Sequence, residues 1–139
     1  VSRQNSSGTY TYFREAVLGK KRDLKLGSID QSGSKDLVTL VSRTPRAIGY
    51  SGMGYMTDEV KVLKVSKRKG EPGIEPTVDN VTNGTYPLSR PLQIYTIGQP
   101  RGAVAEYLAW IHGPEGQNVV LDLGYVPAGT GDSSAGRPN

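Results

Sequence analysis

Glycine and proline recur at short intervals along this chain and restrict it to short elements of secondary structure. The 139 residues include 18 glycines and nine prolines. Both residue types interrupt regular structure, glycine through its backbone freedom and proline through its missing N–H. The apolar runs are only a few residues long, too short for a helix that crosses a bilayer. We therefore expect an α/β chain of short helices and strands joined by many turns.

Charge and cysteine content narrow the functional classes. The chain has no cysteine, which excludes disulfides and Cys-ligated metals. Its net charge of +4 raises the question of nucleic-acid binding. The densest basic run, residues 64–69, has no interleaved aromatic residue and lies beside a Gly/Pro-rich stretch. This pattern favours a solvated loop over a nucleic-acid site, and no nucleic-acid partner is expected.

Apolar residues at helical spacing predict helices along most of the chain. The first follows a strand end and a turn at residues 6–9. The predicted helices are residues 10–18 closed by Gly19, 34–44 with Ser34 as N-cap and Pro45 as the stop, 77–83 closed by Gly84, 101–111, and 114–123 opened by Pro114 and capped by Gly124. Strands are predicted at residues 47–50, 60–65 and 92–96. Residues 129–139 are predicted to be a flexible tail.

Hydrogen-bond donors are concentrated from Arg3 to Thr9, at the start of the first predicted helix. A helix N-terminus exposes unpaired N–H groups and about half a unit of positive charge. Gly8 lets an anion approach the backbone closely, and Ser7 and Thr9 add hydroxyl donors. Arg3 can bind two oxygens of one phosphate with its planar guanidinium. These residues predict a site for a tetrahedral oxyanion.

The same residues also fit a purely structural interpretation. Ser6 or Ser7 can be an ordinary helix N-cap, Gly8 a turn residue and Arg3 a surface charge. The segment is not a nucleotide-binding loop, because it lacks the spaced glycines and the lysine that such loops need. The residues alone leave both interpretations open.

Several motifs, taken in order, resemble the phosphate-binding proteins of the Pst transport system. The resemblance extends roughly over residues 1–128. Its motifs are Arg3-x-x-x-Ser7-Gly8-Thr9 followed by Tyr10 and Phe13, Gly33-Ser34, Thr44 to Tyr50, Asn83 to Leu92, Gly113 to Gln117, and Gly124 to Pro127.

The resemblance implies a periplasmic-binding-protein-like (type II) α/β architecture, with two hinged lobes that close on phosphate. Arg3, Ser7, Gly8 and Thr9 match the family's anion-contacting positions. Asn5 stands where some members carry an acid that orients the arginine, so it and Ser6 are candidates for supporting contacts.

The resemblance also implies that this chain is incomplete relative to the two-lobed fold. Residues 1–85 would form the phosphate-binding segment of the second lobe, and residues 86–128 would return to the first lobe through a hinge at residues 86–92. The N-terminal half of the same protein or a second copy, as in a swapped dimer, would complete the site. A truncated chain, a clipped product and a natural half-length protein remain open. We expect weak or no phosphate binding by the chain as an isolated monomer.

The implied function is binding of inorganic phosphate as the extracytoplasmic component of a phosphate ABC transporter. The implied location is periplasmic or extracellular, which includes attachment at the cell surface as a lipoprotein. The partners would be phosphate and the ABC permease, with membrane contact only through the permease or an anchor outside this chain. The alternatives are a phosphate-sensing surface protein and a receptor for another oxyanion, such as sulfate or tungstate.

No catalytic, metal or cofactor site is predicted. His112 is the only histidine, and no acid cluster accompanies it at ligand spacing. Ser7 as a nucleophile would need a base, and no nucleophile-elbow pattern surrounds it. We therefore expect a binding protein and not an enzyme.

Overall fold

The computed structural model describes residues 1–128, and it begins with a strand–helix–strand–helix unit. β1 pairs with β2 in parallel, with Ser2 opposite Asp30 and Arg3 opposite Gln31. Parallel strands need a crossover connection, and the first helix supplies it. The unit confirms the predicted α/β class. Its elements are β1 Ser2–Arg3, α1 Gly8–Leu18, β2 Asp30–Gln31 and α2 Ser34–Arg43.

The core of this unit lies where α2 meets the strands and the segment after α2. Leu37 is the buried apolar residue of α2, with 1% of its surface exposed. A Cβ at Gly49 would lie 2.8 Å from Leu37 Cδ2, so glycine lets the chain pass close to α2 here. The ring of Tyr50 stacks on that of Phe13 in α1, with the centroids 4.0 Å apart. These contacts fix both helices around β1.

The remaining elements are short helices separated by irregular chain. α4 and α5 pack on each other at a tight corner. A Cβ at Gly116 in α5 would lie 2.5 Å from the carbonyl oxygens of both Trp110 and Ile111, so only glycine fits there. The bounds are Met53–Tyr55 for a 3-10 turn, α3 Val78–Thr82, α4 Ala103–His112 and α5 Pro114–Asp122.

All five predicted helices are confirmed, with small shifts at their ends. α1 begins at Gly8, inside the predicted turn, and ends before Gly19, whose φ of 80° suits glycine. The prediction that Ser34 is the N-cap of α2 was wrong. Gly33 takes that position without a side-chain hydrogen bond, and Ser34 is the first helical residue. The Ser34 hydroxyl instead accepts a hydrogen bond from Arg3.

The three predicted strands at residues 47–50, 60–65 and 92–96 were wrong. Only Val65 takes part in β pairing, through an isolated antiparallel bridge to Ile74. A strand requires a neighbouring backbone, and alternation of apolar side chains does not supply one. Residues 47–50 do approach β1, where the nitrogen of Val1 donates to Ile48 O and Arg3 N–H donates to the Tyr50 hydroxyl.

The predicted flexible tail at residues 129–139 lies outside the described residues. Within residues 1–128, no helix is both long enough and apolar enough to span a membrane.

Candidate functional site

The candidate site is the N-terminal end of α1, which follows β1 after one tight turn. Ser7 is the N-cap of α1, and its hydroxyl accepts a hydrogen bond from Thr9 N at 3.2 Å. The backbone N–H of Ser7 donates to Gln4 O at 2.9 Å, which closes the turn. The structural interpretation of Ser7 as an N-cap is thus confirmed. It is compatible with anion binding, because a cap leaves other N–H groups of the first turn exposed.

Several donors at this end have no hydrogen-bond partner among residues 1–128. They include the backbone N–H of Gly8 and the hydroxyl of Thr9. The first turn of α1 contains no acidic residue. The helix end therefore presents donors and positive potential without a competing carboxylate.

The guanidinium of Arg3 is directed at the turn between β2 and α2. Nε donates to Gln31 O at 3.3 Å, and one terminal nitrogen donates to Ser32 O at 2.6 Å. The other terminal nitrogen donates to Ser34 Oγ at 2.6 Å. A guanidinium carries one N–H on Nε and two on each terminal nitrogen. The three bonds of Arg3 therefore leave one N–H available on each terminal nitrogen. The structure therefore shows Arg3 held by a neighbouring turn and not bonded to Ser7, Gly8 or Thr9.

The backbone of Arg3 is held by Tyr50. Arg3 N–H donates to the Tyr50 hydroxyl at 3.2 Å, and that hydroxyl lies 2.7 Å from Ser2 Oγ. Ser2 Oγ in turn donates to Arg3 O at 3.1 Å. These bonds form a closed ring that satisfies the hydroxyl of Ser2, which is 1% exposed. Since the Tyr50 ring also stacks on Phe13, one side chain fixes β1 relative to α1.

Asn5 and Ser6 lie in the exposed turn between β1 and α1. Their side chains make no hydrogen bond within the described part of the chain, and Asn5 is not a partner of Arg3. The carbonyls of Gln31 and Ser32 accept the hydrogen bonds of Arg3 Nε and of one terminal nitrogen. Arg3 can thus be oriented without a charged partner.

A second arginine lies beside the start of α1. A Cβ at Gly8 would lie 3.4 Å from a terminal nitrogen of Arg90. The Arg90 guanidinium also lies over the ring of Tyr12, with 5.4 Å between Cζ and the ring centroid. Arg90 was not among the site residues predicted from the sequence. Its only sequence signal was its place in the motif from Asn83 to Leu92, which gives no information on what it contacts.

A shallow surface hollow occurs at a different place, the corner between α4 and α5. Its lining consists of Trp110, Gly113, Pro114 and Glu115. Trp110 Nε1 donates to Glu115 Oε2 at 2.9 Å, so the polar atoms there already bond to each other. The hollow includes no residue of β1 or α1 and adds nothing to the candidate site.

Comparison with known proteins identifies one family and a consistent set of relatives. A family model described as a PBP superfamily domain matches residues 1–115. The phosphate-binding protein PstS of Pseudomonas aeruginosa is 40% identical over 129 residues, which cover 90% of this chain and 40% of the relative. PstS of Bacillus subtilis is 31% identical over 129 residues, covering 91% of this chain and 40% of the relative. The chain thus spans well under half the length of these curated relatives.

Two solved structures have the same fold over most of this chain. One is described as a phosphate ABC transporter substrate-binding protein with bound phosphate from Clostridium perfringens, with a TM-score of 0.76 and 32% identity. The match covers 91% of this chain and 50% of that one. The other is a phosphate-binding protein of a phosphate ABC transporter from Streptococcus pneumoniae, with a TM-score of 0.78 and 29% identity. That match covers 93% of this chain and 51% of the other.

Proposed function

Because this chain belongs to the PBP superfamily, we propose that it binds inorganic phosphate as part of the solute-binding component of a phosphate ABC transporter. The observation that carries the proposal is the N-terminal end of α1, where Gly8 N–H and the Thr9 hydroxyl have no partner among residues 1–128. The relatives support phosphate as the anion, since they are named as phosphate-binding proteins.

Each proposed contact uses a donor suited to an oxyanion. We assign to Gly8 a backbone N–H bond, and to Thr9 a hydroxyl bond to phosphate oxygens. Ser7 caps the helix and supplies a hydroxyl that can exchange its bond to Thr9 N for one to the anion. Arg3 supplies charge through the N–H groups that the turn at Ser32 does not use, and charge-assisted bonds of this kind are roughly twice as strong as neutral ones.

The proposed transport role extends beyond the described residues. In the proposed transport cycle, phosphate binds between two lobes, and residues 86–92 act as the hinge that lets the lobes close. The closed form then docks on the permease. Residues 1–85 then carry the phosphate contacts, and residues 86–128 return to the other lobe. The protein would work outside the cytoplasm, where a transport receptor meets its solute. The rest of the site would come from an N-terminal half or a second copy.

Binding and not catalysis is the proposed role. His112 is the last residue of α4 and lies on a different element from α1. Within residues 1–128, no group of three or more His, Cys, Asp or Glu side chains could hold a metal ion. The candidate site therefore offers donors for an anion but no base placed to activate a nucleophile.

A receptor for another oxyanion is the second candidate. It is favoured by one observation, that the donors of α1 have no carboxylate among them to accept a proton from the anion. A site made only of donors binds sulfate and phosphate by the same contacts. Sulfate is therefore the necessary comparison in any binding test.

Phosphate titration of the 15N-labelled full-length protein, with both lobes present, tests the proposal by NMR and detects binding even at millimolar affinity. We expect phosphate to shift the amide signals of Gly8 and Thr9 more than chloride does at equal ionic strength. Arg3→Ala should weaken binding at least about tenfold, because it removes charge-assisted bonds. Arg43→Ala, at the far end of α2, is the control of equal charge and should change affinity less than about twofold.

Absence of any specific shift at Gly8 and Thr9 at millimolar phosphate would overturn the proposed site. Equal shifts with sulfate would favour the second candidate. Growth assays of a strain dependent on this transporter, carrying Arg3→Ala, then test the transport role separately from binding.

A further inference from the structure

Residues 86–92, which follow α3, contact α1 at Tyr12. The Tyr12 hydroxyl donates to Ser89 O at 2.8 Å, which joins residues 77 positions apart. The next residue, Arg90, places its guanidinium over the Tyr12 ring. We call the contact of Tyr12 with Ser89 and Arg90 the Tyr12 latch. It fixes where the charge of Arg90 lies, beside Gly8.

Arg90 places a solvent-exposed positive charge beside the N-terminal end of α1. A helix N-terminus is positive, and a cation near it is destabilising. None of the ion pairs within residues 1–128 includes Arg90, so no carboxylate compensates its charge. The Tyr12 ring gives partial compensation through its negative face. An anion between Arg90 and the first turn of α1 would satisfy both positive groups at once.

The latch carries a single charge over the physiological pH range. Burial raises the pKa of the Tyr12 phenol, and Arg90 opposes that shift. Burial also raises the pKa of the Tyr86 phenol, and Tyr12 adds to that shift. Both phenols therefore stay neutral, and the charge of the latch is that of Arg90 alone.

We propose that Arg90 is a further anion-positioning residue, which the Tyr12 latch holds against the oxyanion bound at α1. The proposal rests on the proposed function of this site. It adds that the anion bridges two segments far apart in sequence, α1 and residues 86–92. Occupancy of the site would then stabilise the latch, so that anion binding and the position of residues 86–92 are coupled.

Graded variants at both ends of the latch test this inference in the phosphate titration. Arg90→Gln should weaken phosphate binding about threefold or more, since the charge is partly exposed to solvent. Arg90→Lys keeps the charge but not the planar group over Tyr12, so its loss should be smaller. Tyr12→Phe removes the bond to Ser89 O and keeps the ring, and should weaken binding about twofold. Arg43→Gln is the control with the same change in net charge.

A second signal measures contact with Arg90 directly. Addition of phosphate should shift the Arg90 Nε–H resonance in the parent chain, and this shift should be reduced in Tyr12→Phe. If the parent binds phosphate but Arg90→Gln binds as tightly as Arg43→Gln, the inference is wrong and the proposed function stands. If phosphate shifts neither the α1 amides nor Arg90 in the parent, the proposed function and this inference both fail.

Discussion

Residues 1–50 and residues 86–128 are stabilised in different ways. The first region has paired strands, the buried Leu37 and the stack of Phe13 on Tyr50. The second has two helices that pack at Gly116, and the buried residue of α5 is that glycine. Several large apolar side chains of the second region are exposed, among them Leu92, Ile94, Tyr95, Ile97, Val104 and Tyr107.

The two regions differ because local sequence can determine a helix but cannot by itself cover an apolar surface. A helix satisfies its own backbone, so α4 and α5 form even with little burial. An apolar surface, by contrast, gains free energy only when another surface covers it. The first region covers Leu37 with its own elements, although Val17, Leu26, Ile29 and Ile48 of the same region remain exposed. The second region shows helices whose apolar side chains are not covered by residues 1–128.

The largest expected effect is on unfolding when the core of the first region is truncated. Leu37→Ala should lower the free energy of unfolding by about 3 kcal/mol, because it removes buried methyl groups and leaves a cavity. Ile97→Ala, a similar truncation in the second region, should change it by less than about 0.5 kcal/mol, because the side chain is fully exposed. Urea denaturation measures both, and equal losses would contradict the comparison.

A methyl group added at Gly116, where α5 contacts α4, tests how tightly the two helices of the second region pack. Gly116→Ala should cost about 2 kcal/mol, because its Cβ would collide with backbone carbonyls of α4, which cannot move independently. Gly52→Ala is the control, since its Cβ would meet only ring carbons of Tyr55 at 3.7 Å or more. Urea titration followed by circular dichroism measures the free energy of unfolding. If Gly116→Ala leaves it unchanged, α4 and α5 do not pack closely at this residue.

Removal of the α1 cap should have a smaller effect. Ser7→Ala should lower the free energy of unfolding by about 1 kcal/mol, because Thr9 N–H loses its acceptor. Ser6→Ala, in the exposed turn one residue earlier, should be nearly neutral. Thermal denaturation of both variants checks this, and an equal loss in each would exclude a specific cap.

The smallest expected effect is a change in acid sensitivity at the far side of α1. The hydrogen bond from Tyr10 lowers the pKa of the Asp23 carboxyl below its usual value. A lowered pKa contributes stability above the unfolded pKa, and that contribution is lost as pH falls through the folded pKa. Tyr10→Phe should therefore reduce the fall in melting temperature that occurs as the pH is lowered below about 4. An unchanged acid limb would count against this bond in solution.

Sequence patterns predicted the helices well because their determinants are local. Pro114 opens α5 as expected, and Gly19 follows α1 in a backbone conformation that glycine favours. The strands at residues 47–50 and 92–96 were predicted wrongly, because alternation does not identify a pairing partner. Segment 47–50 lies beside β1, and its contacts are made by Val1 N with Ile48 O and by the Tyr50 hydroxyl.

The candidate site was predictable only in its local part. The donors from Ser7 to Thr9 are adjacent in sequence and share one helix turn, so their grouping follows from the helix start. The partners of Arg3 lie about 30 residues away at Gln31 and Ser32, and Arg90 reaches Gly8 from a distant segment. Contacts of this range depend on the fold, which no short motif encodes.

The ring of bonds formed by Ser2, Arg3 and Tyr50 has a consequence for the sheet. Ser2 N–H and Gln4 N–H bond on the β2 side, so the N–H and C=O of Arg3 face outward, where hydroxyl groups occupy both. An exposed strand edge with vacant backbone groups recruits foreign strands and starts aggregation. At Arg3 those groups are already engaged, so this edge of β1 is protected from strand addition at that residue by hydroxyl groups and not by a charged residue or a proline.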